Sequence, residues 1–199
     1  MTCRRLIDDD RRAGAALIRE RHYTRSFPSG KTHLFAFGDA LIAYSIPANP
    51  YAARWLLGLP PTGNPVWELT RLWAPDGHAP NLLTQAIAAS VSALRAVEPA
   101  VVALVSYADP NVGHGGGVYR AASWTPLGQS EEARAYRTAD GQIVARRAFH
   151  SGSSHMTKAQ IEATGAVQLR LPGKLRFARG LTRQTRRAIA AHPANITKA

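Results

Sequence analysis

The stretch from Val66 to Tyr107 restricts the fold more than any other part of the chain. Val66-Trp-Glu-Leu-Thr-Arg-Leu-Trp73 alternates with period two and reads as a strand. Asn81, a capping residue, opens a helix through about Ala96 whose apolar stripe includes Leu83, Ile87, Val91 and Leu94. Pro99 then resets the chain before Ala100 to Tyr107, a continuous apolar and β-branched run of the kind buried on both faces of a sheet. Strand, helix and strand in that order make a right-handed parallel crossover. Polar residues gather where the second strand ends, at Ser106, Asp109, Asn111 and His114, the place where open α/β sheets bind their ligands.

In regular register Val66, Glu68, Thr70 and Leu72 share one face of the first strand, and Trp67, Leu69, Arg71 and Trp73 share the other. Both faces mix polar and apolar groups, so the strand is expected to be covered on both sides, with Glu68, Thr70 or Arg71 turned toward a cleft. Glu68 and Arg71 then have separate partners unless a bulge intervenes.

Around this crossover, residues 8–22 read as a helix with Asp8, Asp9 and Asp10 at its amino end, leaving His22 and Tyr23 at a helix-to-loop junction. Thr32 to Phe37 and Ala40 to Ile46 form a hairpin about Gly38-Asp39, and Trp55, Leu56 and Leu57 a short helical turn within a proline-punctuated stretch. The run Gly113-His-Gly-Gly-Gly117 lacks the Lys-Ser/Thr of a Walker loop and suits a close backbone approach before a short helix ending near Ala122. Ser123 to Thr125 begins a strand, and residues 136–138 and 143–145 form a hairpin about Asp140-Gly141. Ser151 to Ser154 reads as a linker, Thr157 to Thr164 as a short helix and Arg183 to Ala191 as a basic helix.

Charge divides the chain unevenly. The net charge of the 199 residues is +12, yet residues 1–145 hold 14 Lys and Arg against 12 Asp and Glu, whereas residues 146–199 hold 11 against Glu162 alone. The last quarter therefore has the footprint of a segment that meets a polyanion, with Arg170, Lys174, Arg176, Arg179, Arg183, Arg186 and Arg187 as backbone-phosphate contacts. Two parts follow, 1–150 as an α/β domain that holds the candidate site residues and 151–199 as a basic C-terminal appendage packed on it or extending from it. Cys3 is the single cysteine, which excludes a disulfide framework and fits a reducing compartment. The acidic start and the lack of any apolar run near 18 residues lead to a cytoplasmic expectation with no membrane partner.

Four motifs in succession resemble the Mom family of bacteriophage DNA-modification proteins: Arg21-His-Tyr-Thr-Arg-Ser26, Glu68-Leu-Thr-Arg-Leu72, Ser106-Tyr-Ala-Asp109, and Gly113-His-Gly-Gly116 through Tyr119. The resemblance covers about residues 15–145. It implies a GNAT-like mixed central sheet flanked by helices, and a transferase that attaches a carbamoylmethyl group to adenine N6, shielding phage DNA from restriction in the host cytoplasm. Double-stranded DNA and a small-molecule donor are the partners implied, and a homodimer is left open.

Under that resemblance the catalytic candidates are His22, Tyr23, Arg71, Ser106, Asp109 and Tyr119, and the cofactor-binding candidates Arg71, Asn81, Gly113, His114 and Gly115. Asp109 would accept a hydrogen bond from the adenine amine. His22 would titrate near neutrality and Tyr23 would stack on the base; Tyr119 would orient the donor or protonate a leaving group. Tyr23, Trp55 and Trp73 are the aromatics for a flipped base.

The fold suggests acetyl-CoA. Pro75 and Pro80 remove backbone donors from the 74–81 loop and Asp76 adds a like charge, which argues against the usual pyrophosphate grip. His22, Tyr23, Asp109 and His114 offer nitrogen and oxygen ligands to a metal such as ferrous iron, without standard spacing. A conventional GNAT N-acyltransferase and a non-catalytic DNA-binding protein are the alternatives.

Overall fold

The computed structural model describes residues 1–60, 62–145, 149–151 and 154–195. Its centre is a seven-stranded mixed sheet in the order β1-β2-β3-β4-β5-β12-β6. The first half of the chain supplies β1 (Arg4–Leu6), α1 (Asp8–Arg21), β2 (Thr32–Phe37), β3 (Ala40–Ser45), α2 (Ala52–Leu57) and β4 (Val66–Trp73). After these come α3 (Leu82–Val97), β5 (Ala103–Ala108), a 3-10 turn (Pro110–Val112), α4 (Gly117–Ala121) and β6 (Thr125–Gln129). The chain then makes an excursion through β7 (Ala133–Arg137), β8 (Ile143–Ala145), β9 (His150–Ser151), β10 (Ser154–His155), α5 (Lys158–Ala163) and β11 (Val167–Leu171). It returns to the sheet as β12 (Leu175–Gly180) and ends in α6 (Arg183–Ala191).

The crossover expected from the sequence is present. β4 and β5 pair in parallel, joined by α3, and the other contacts of the central sheet are antiparallel. Phe35, Trp67, Ile87, Leu94 and Leu104 are fully buried between the sheet and α3, each contributing about 1.5–3 kcal/mol through the apolar surface it removes from water. On the opposite face, Ile18 of α1 packs on Leu34 and Leu41, while α2 and Ile189 of α6 cover Val66, Ala103 and Ala178.

One local irregularity re-aims the residues of β4. Ala43 lies opposite Arg71 and Tyr44 opposite Leu69, so Thr70 is an extra residue, a β-bulge whose hydroxyl donates to the Ala43 carbonyl at 3.1 Å. Trp67, Leu69 and Leu72 consequently pack toward α3, whereas Val66 and Trp73 belong to the clusters on the other side. The strict alternation expected from the sequence breaks at Thr70, and Glu68 and Arg71 come to the same face.

The C-terminal residues are not an appendage. β12 lies between β5 and β6, with Phe177 and Ala178 buried on its two faces, so the boundary expected at residue 150 passes through one continuous fold. The sheet β11-β7-β8 lies within that excursion, and α5 packs Ile161 against Tyr136 and Ala166 of the same segment. The expected linker at 151–154 contains one strand residue at each end, Ser151 and Ser154, which pair with each other, while residues 152 and 153 lie outside the described residues. No helix among the described residues is long and apolar enough to cross a membrane.

Candidate functional site

β4 and β5 are paired only from Val66 with Ala103 to Leu69 with Ser106; beyond the bulge they part, β4 continuing to Trp73 and β5 to Ala108. A cleft of about 540 Å³ opens between their carboxyl ends. Thr70 and Trp73 line it from β4, Tyr107 from β5, His22 and Tyr23 from the end of α1, and Tyr119 from α4.

Three rings stand in a row at one wall. Tyr23 lies between His22, at 4.4 Å between centroids, and His114, which it meets edge-on at 4.7 Å. Tyr23 is 40% exposed and lines the cleft, so part of the residue is reachable from it. Its hydroxyl titrates above the usual tyrosine range because burial, and then the Asp109 carboxylate, disfavour the phenolate.

His22 differs from the titrating group expected. It is buried, and burial together with the positive charge of Arg71 holds its pKa at about 4, far below neutrality. The Thr24 backbone N–H donates to Nδ1 at 3.2 Å, with the Thr24 hydroxyl 2.9 Å from the same atom. Nδ1 is therefore the acceptor and Nε2 carries the hydrogen, which makes His22 a neutral hydrogen-bond donor at physiological pH and removes it as a general base.

Arg71 is a strut between strand and loop. Its Nε donates to the Ser26 carbonyl at 2.8 Å, Nη2 to the Ser26 hydroxyl at 2.9 Å and Nη1 to the Thr70 carbonyl at 2.6 Å. These bonds tie the segment that carries His22 and Tyr23 to the splayed end of β4. Arg71 and Lys174 also partly offset the burial that raises the pKa of Glu68.

Asp109 ends β5 as the cap of the 3-10 turn: Oδ1 accepts from the Asn111 backbone N–H at 3.0 Å and from its side-chain amide at 2.9 Å. Oδ2 pairs with Lys174 at 3.4 Å, so the loop ahead of β12 reaches back to the end of β5. Asp109 is thus a loop cap, outside the residues that line the cleft, whose carboxylate also raises the Tyr23 pKa.

Ser106 does not join Asp109's polar surface. It is buried and faces α4, its Oγ 2.7 Å from the Leu69 carbonyl and 2.7 Å from the Tyr119 hydroxyl. A carbonyl can only accept, so Ser106 gives its one hydrogen to Leu69 and receives that of Tyr119. Burial pushes the Tyr119 pKa up to about 12, so this side chain is a fixed wall of the cleft and a poor proton source for a leaving group.

Gly113, His114 and Gly115 all line the cleft. Behind them Gly116 sits at φ 76° with the Phe177 ring so near that a Cβ would stand 2.2 Å from it. The glycine run thus allows the loop to close onto β12. Asn81 is placed elsewhere: it is exposed in the left-handed region before α3, with no side-chain cap, and lies outside the cleft lining. Trp55 is also remote, packed under Arg176 and against His192, whereas Trp73 lines the cleft. Sequence reasoning missed Thr24 and Ser26 as the supports of His22 and Arg71.

Several basic residues expected to meet phosphates have partners of their own. Lys174 holds Asp109, Arg170 pairs with Glu132 at 3.7 Å, and Arg176 lies over Trp55 at 4.8 Å. Arg183, Arg186 and Arg187 are exposed on α6.

The residues do not fit CoA in the manner usual for this fold. Pro75 and Pro80 lack an N–H, the Leu82 N–H is given to the Ala79 carbonyl at 3.2 Å, and Asp76 lines the cleft. Nor do the expected metal ligands converge: no group of three or more His, Cys, Asp and Glu side chains placed to hold a metal occurs among the described residues.

A mixed sheet of this strand order, with a parallel pair splayed around a cleft, defines a GNAT-like α/β protein. Within that class the chain belongs to the Mom protein family, whose sequence model matches residues 6–198. It is similar to methylcarbamoylase mom of Escherichia phage Mu, 28% identical over 120 residues, which are 58% of this chain and 49% of that protein. The match thus spans about half the length of that relative. Among solved structures it is similar to a Bacillus subtilis acetyltransferase in complex with CoA, at TM-score 0.45 and 8% identity over 91% of this chain and 99% of that one. An aminoglycoside N-acetyltransferase matches at TM-score 0.44 and 16% identity over 75% of this chain and 98% of its own.

Proposed function

We propose that this protein is a DNA-modifying transferase that attaches a carbamoylmethyl group to adenine N6, changing the base edge that restriction enzymes read. The observation that carries the reading is membership of the Mom family along nearly the whole chain, residues 6–198. The cleft is consistent with it. A base inside a duplex must leave the stack to reach such a site, and an open aromatic face lowers the cost of a few kcal/mol. Tyr23, braced by His22 and His114, supplies that face.

In this reading the neutral His22 donates from Nε2 to an acceptor on the base or donor, and the Asp109 carboxylate accepts from the adenine amine. Arg71 is a positioning residue, holding the 24–27 segment that presents Tyr23. The N6 lone pair is shared with the ring, so orientation at the reacting centre carries much of the work. The shield against restriction follows from the new group occupying the major-groove edge, where adenine N6 is a recognised donor.

Mass analysis of nucleosides from DNA co-expressed with the protein tests the proposal. Deoxyadenosine carrying the mass of a carbamoylmethyl group is expected, lost in Tyr23→Ala. Unmodified deoxyadenosine alongside abundant soluble protein overturns it.

A further inference from the structure

At the end of the sheet away from the cleft, the chain encloses a second cavity of about 500 Å³. Ser92 and Arg95 of α3, Ser123 just before β6, Thr125 at its start, Arg179 of β12 and Arg186 of α6 line it, and among the described residues no Asp or Glu does. Strand register sets its place: β12 runs antiparallel to β5, with Leu175 beside Ala108 at the cleft end and Gly180 beside Ala103 at the cavity end.

Among the described residues the three arginines lack a counter-charge. Arg179 is half-buried, with Nη1 3.4 Å from the Ala122 carbonyl; Arg186 Nε lies 3.3 Å from the Thr182 carbonyl; Arg95 is exposed. Among the described residues none of the three enters an ion pair with a carboxylate. Like charges gathered around one cavity repel, and an anion filling it turns that repulsion into attraction. Guanidinium forks together with hydroxyl donors match the oxygens of a phosphate group.

We propose that this cavity seats a backbone phosphate of duplex DNA, apart from the cleft that handles the base. α6 extends the positive surface outward through Arg183 and Arg187, both exposed, and such a continuous footprint suits a polymer of phosphates better than one small anion. The spacing fits as well. Leu83 lines the cleft and Arg95 the cavity, twelve residues apart on α3. At about 1.5 Å per residue they stand about 18 Å apart. A strand of duplex covers that distance in about five phosphates, spaced about 3.4 Å along the axis. The choice of DNA as ligand rests on the function proposed above; the convergence of the arginines does not.

The test measures equilibrium binding of the full chain to a fluorescent, unmodified duplex over a range of salt. Arg95→Gln combined with Arg186→Gln is expected to weaken binding and reduce the slope of log affinity against log salt by about 0.9, the amount for one phosphate no longer neutralised. Arg95→Lys with Arg186→Lys retains both charges and is expected to keep the slope. Both positions are exposed, and thermal unfolding checks that the fold is intact. Unchanged affinity and slope in the glutamine pair overturns the proposal. So does inorganic phosphate shifting the amide resonances of Ser123 and Gly180 while duplex binding ignores both substitutions, the signature of a small phosphorylated ligand. Absence of modified deoxyadenosine in co-expressed DNA bears on the function proposed above and leaves the binding measurement to decide this site.

Discussion

The hydroxyls of Ser106 and Tyr119 meet at 2.7 Å beneath the cleft, and the Leu69 carbonyl fixes the direction of the bond between them. Tyr119→Phe removes one hydrogen bond and leaves Ser106 satisfied by Leu69, a loss of about 1 kcal/mol in denaturant unfolding. Ser106→Ala strands the buried Tyr119 hydroxyl and is expected to cost more, about 1–3 kcal/mol. An equal or smaller loss at Ser106 contradicts that order of donors.

His22 gives the stability of the protein a defined pH window. Its pKa is about 4 in the folded chain against 6.5 for the free side chain, so on acidification the unfolded chain takes up the proton first. Stability is therefore lost as pH falls from about 6.5 to about 4, levels off below, and is complete near neutrality. His22→Gln is expected to flatten this window in urea unfolding measured at several pH values. A variant with the wild-type slope shows that other groups set it.

Arg71 is the leading charge that lowers the His22 pKa, after burial. Arg71→Gln should therefore raise that pKa, and with it the pKa of Glu68, which Arg71 also lowers. Ring-proton titration of His22 by NMR reads the first shift directly. No movement means that burial and the charges of His114 and Lys174 neutralise the imidazole without Arg71.

Gly113 and Gly116 separate backbone strain from crowding. Both have positive φ, 80° and 76°, but a Cβ on Gly113 meets nothing within 4 Å, whereas on Gly116 it enters the Phe177 ring. Gly113→Ala is expected to cost about 1–2 kcal/mol. Gly116→Ala adds overpacking of about 1–3 kcal/mol to the same strain. Equal melting temperatures in the two variants contradict the close approach of loop and strand.

Truncation before Leu175 should abolish folding as well as DNA binding, because β12 joins β5 to β6. Circular dichroism and solubility of a 1–174 chain check this. A folded, monomeric 1–174 protein that has merely lost DNA affinity restores the view of the tail as an appendage.

The crossover was legible because its signals are local: alternation in β4, a helical stripe in α3 and an unbroken apolar run in β5. The first hairpin and the basic last helix were legible for the same reason. β12 was not, since Leu175-Arg-Phe-Ala-Arg-Gly180 is short, carries two arginines among four other residues and lies in the most basic part of the chain. In the fold Arg176 is sheltered by Trp55 and Arg179 lies half-buried, while Leu175 and Phe177 carry the period-two signal that marks the strand. Of the residues singled out in the sequence, His22, Tyr23 and the glycine loop line one cleft, and Asp109 caps the turn after β5 outside its lining. The neutral state of His22 depends on Thr24, Arg71 and depth of burial, and the facing of Glu68 with Arg71 depends on one extra residue in β4. Neither can be read from residue types alone.

The late return of β12 also orders events during synthesis. Until about residue 180 has left the ribosome, β5 lacks a neighbour on one side, Asp109 lacks Lys174, and Gly116 has no ring to close upon. At about 5–20 residues per second, the excursion between β6 and β12 delays completion of the sheet by several seconds. The basic residues of the last quarter and the strand that finishes the fold emerge together, so the nascent chain gains this positive surface only as the cleft takes its final form.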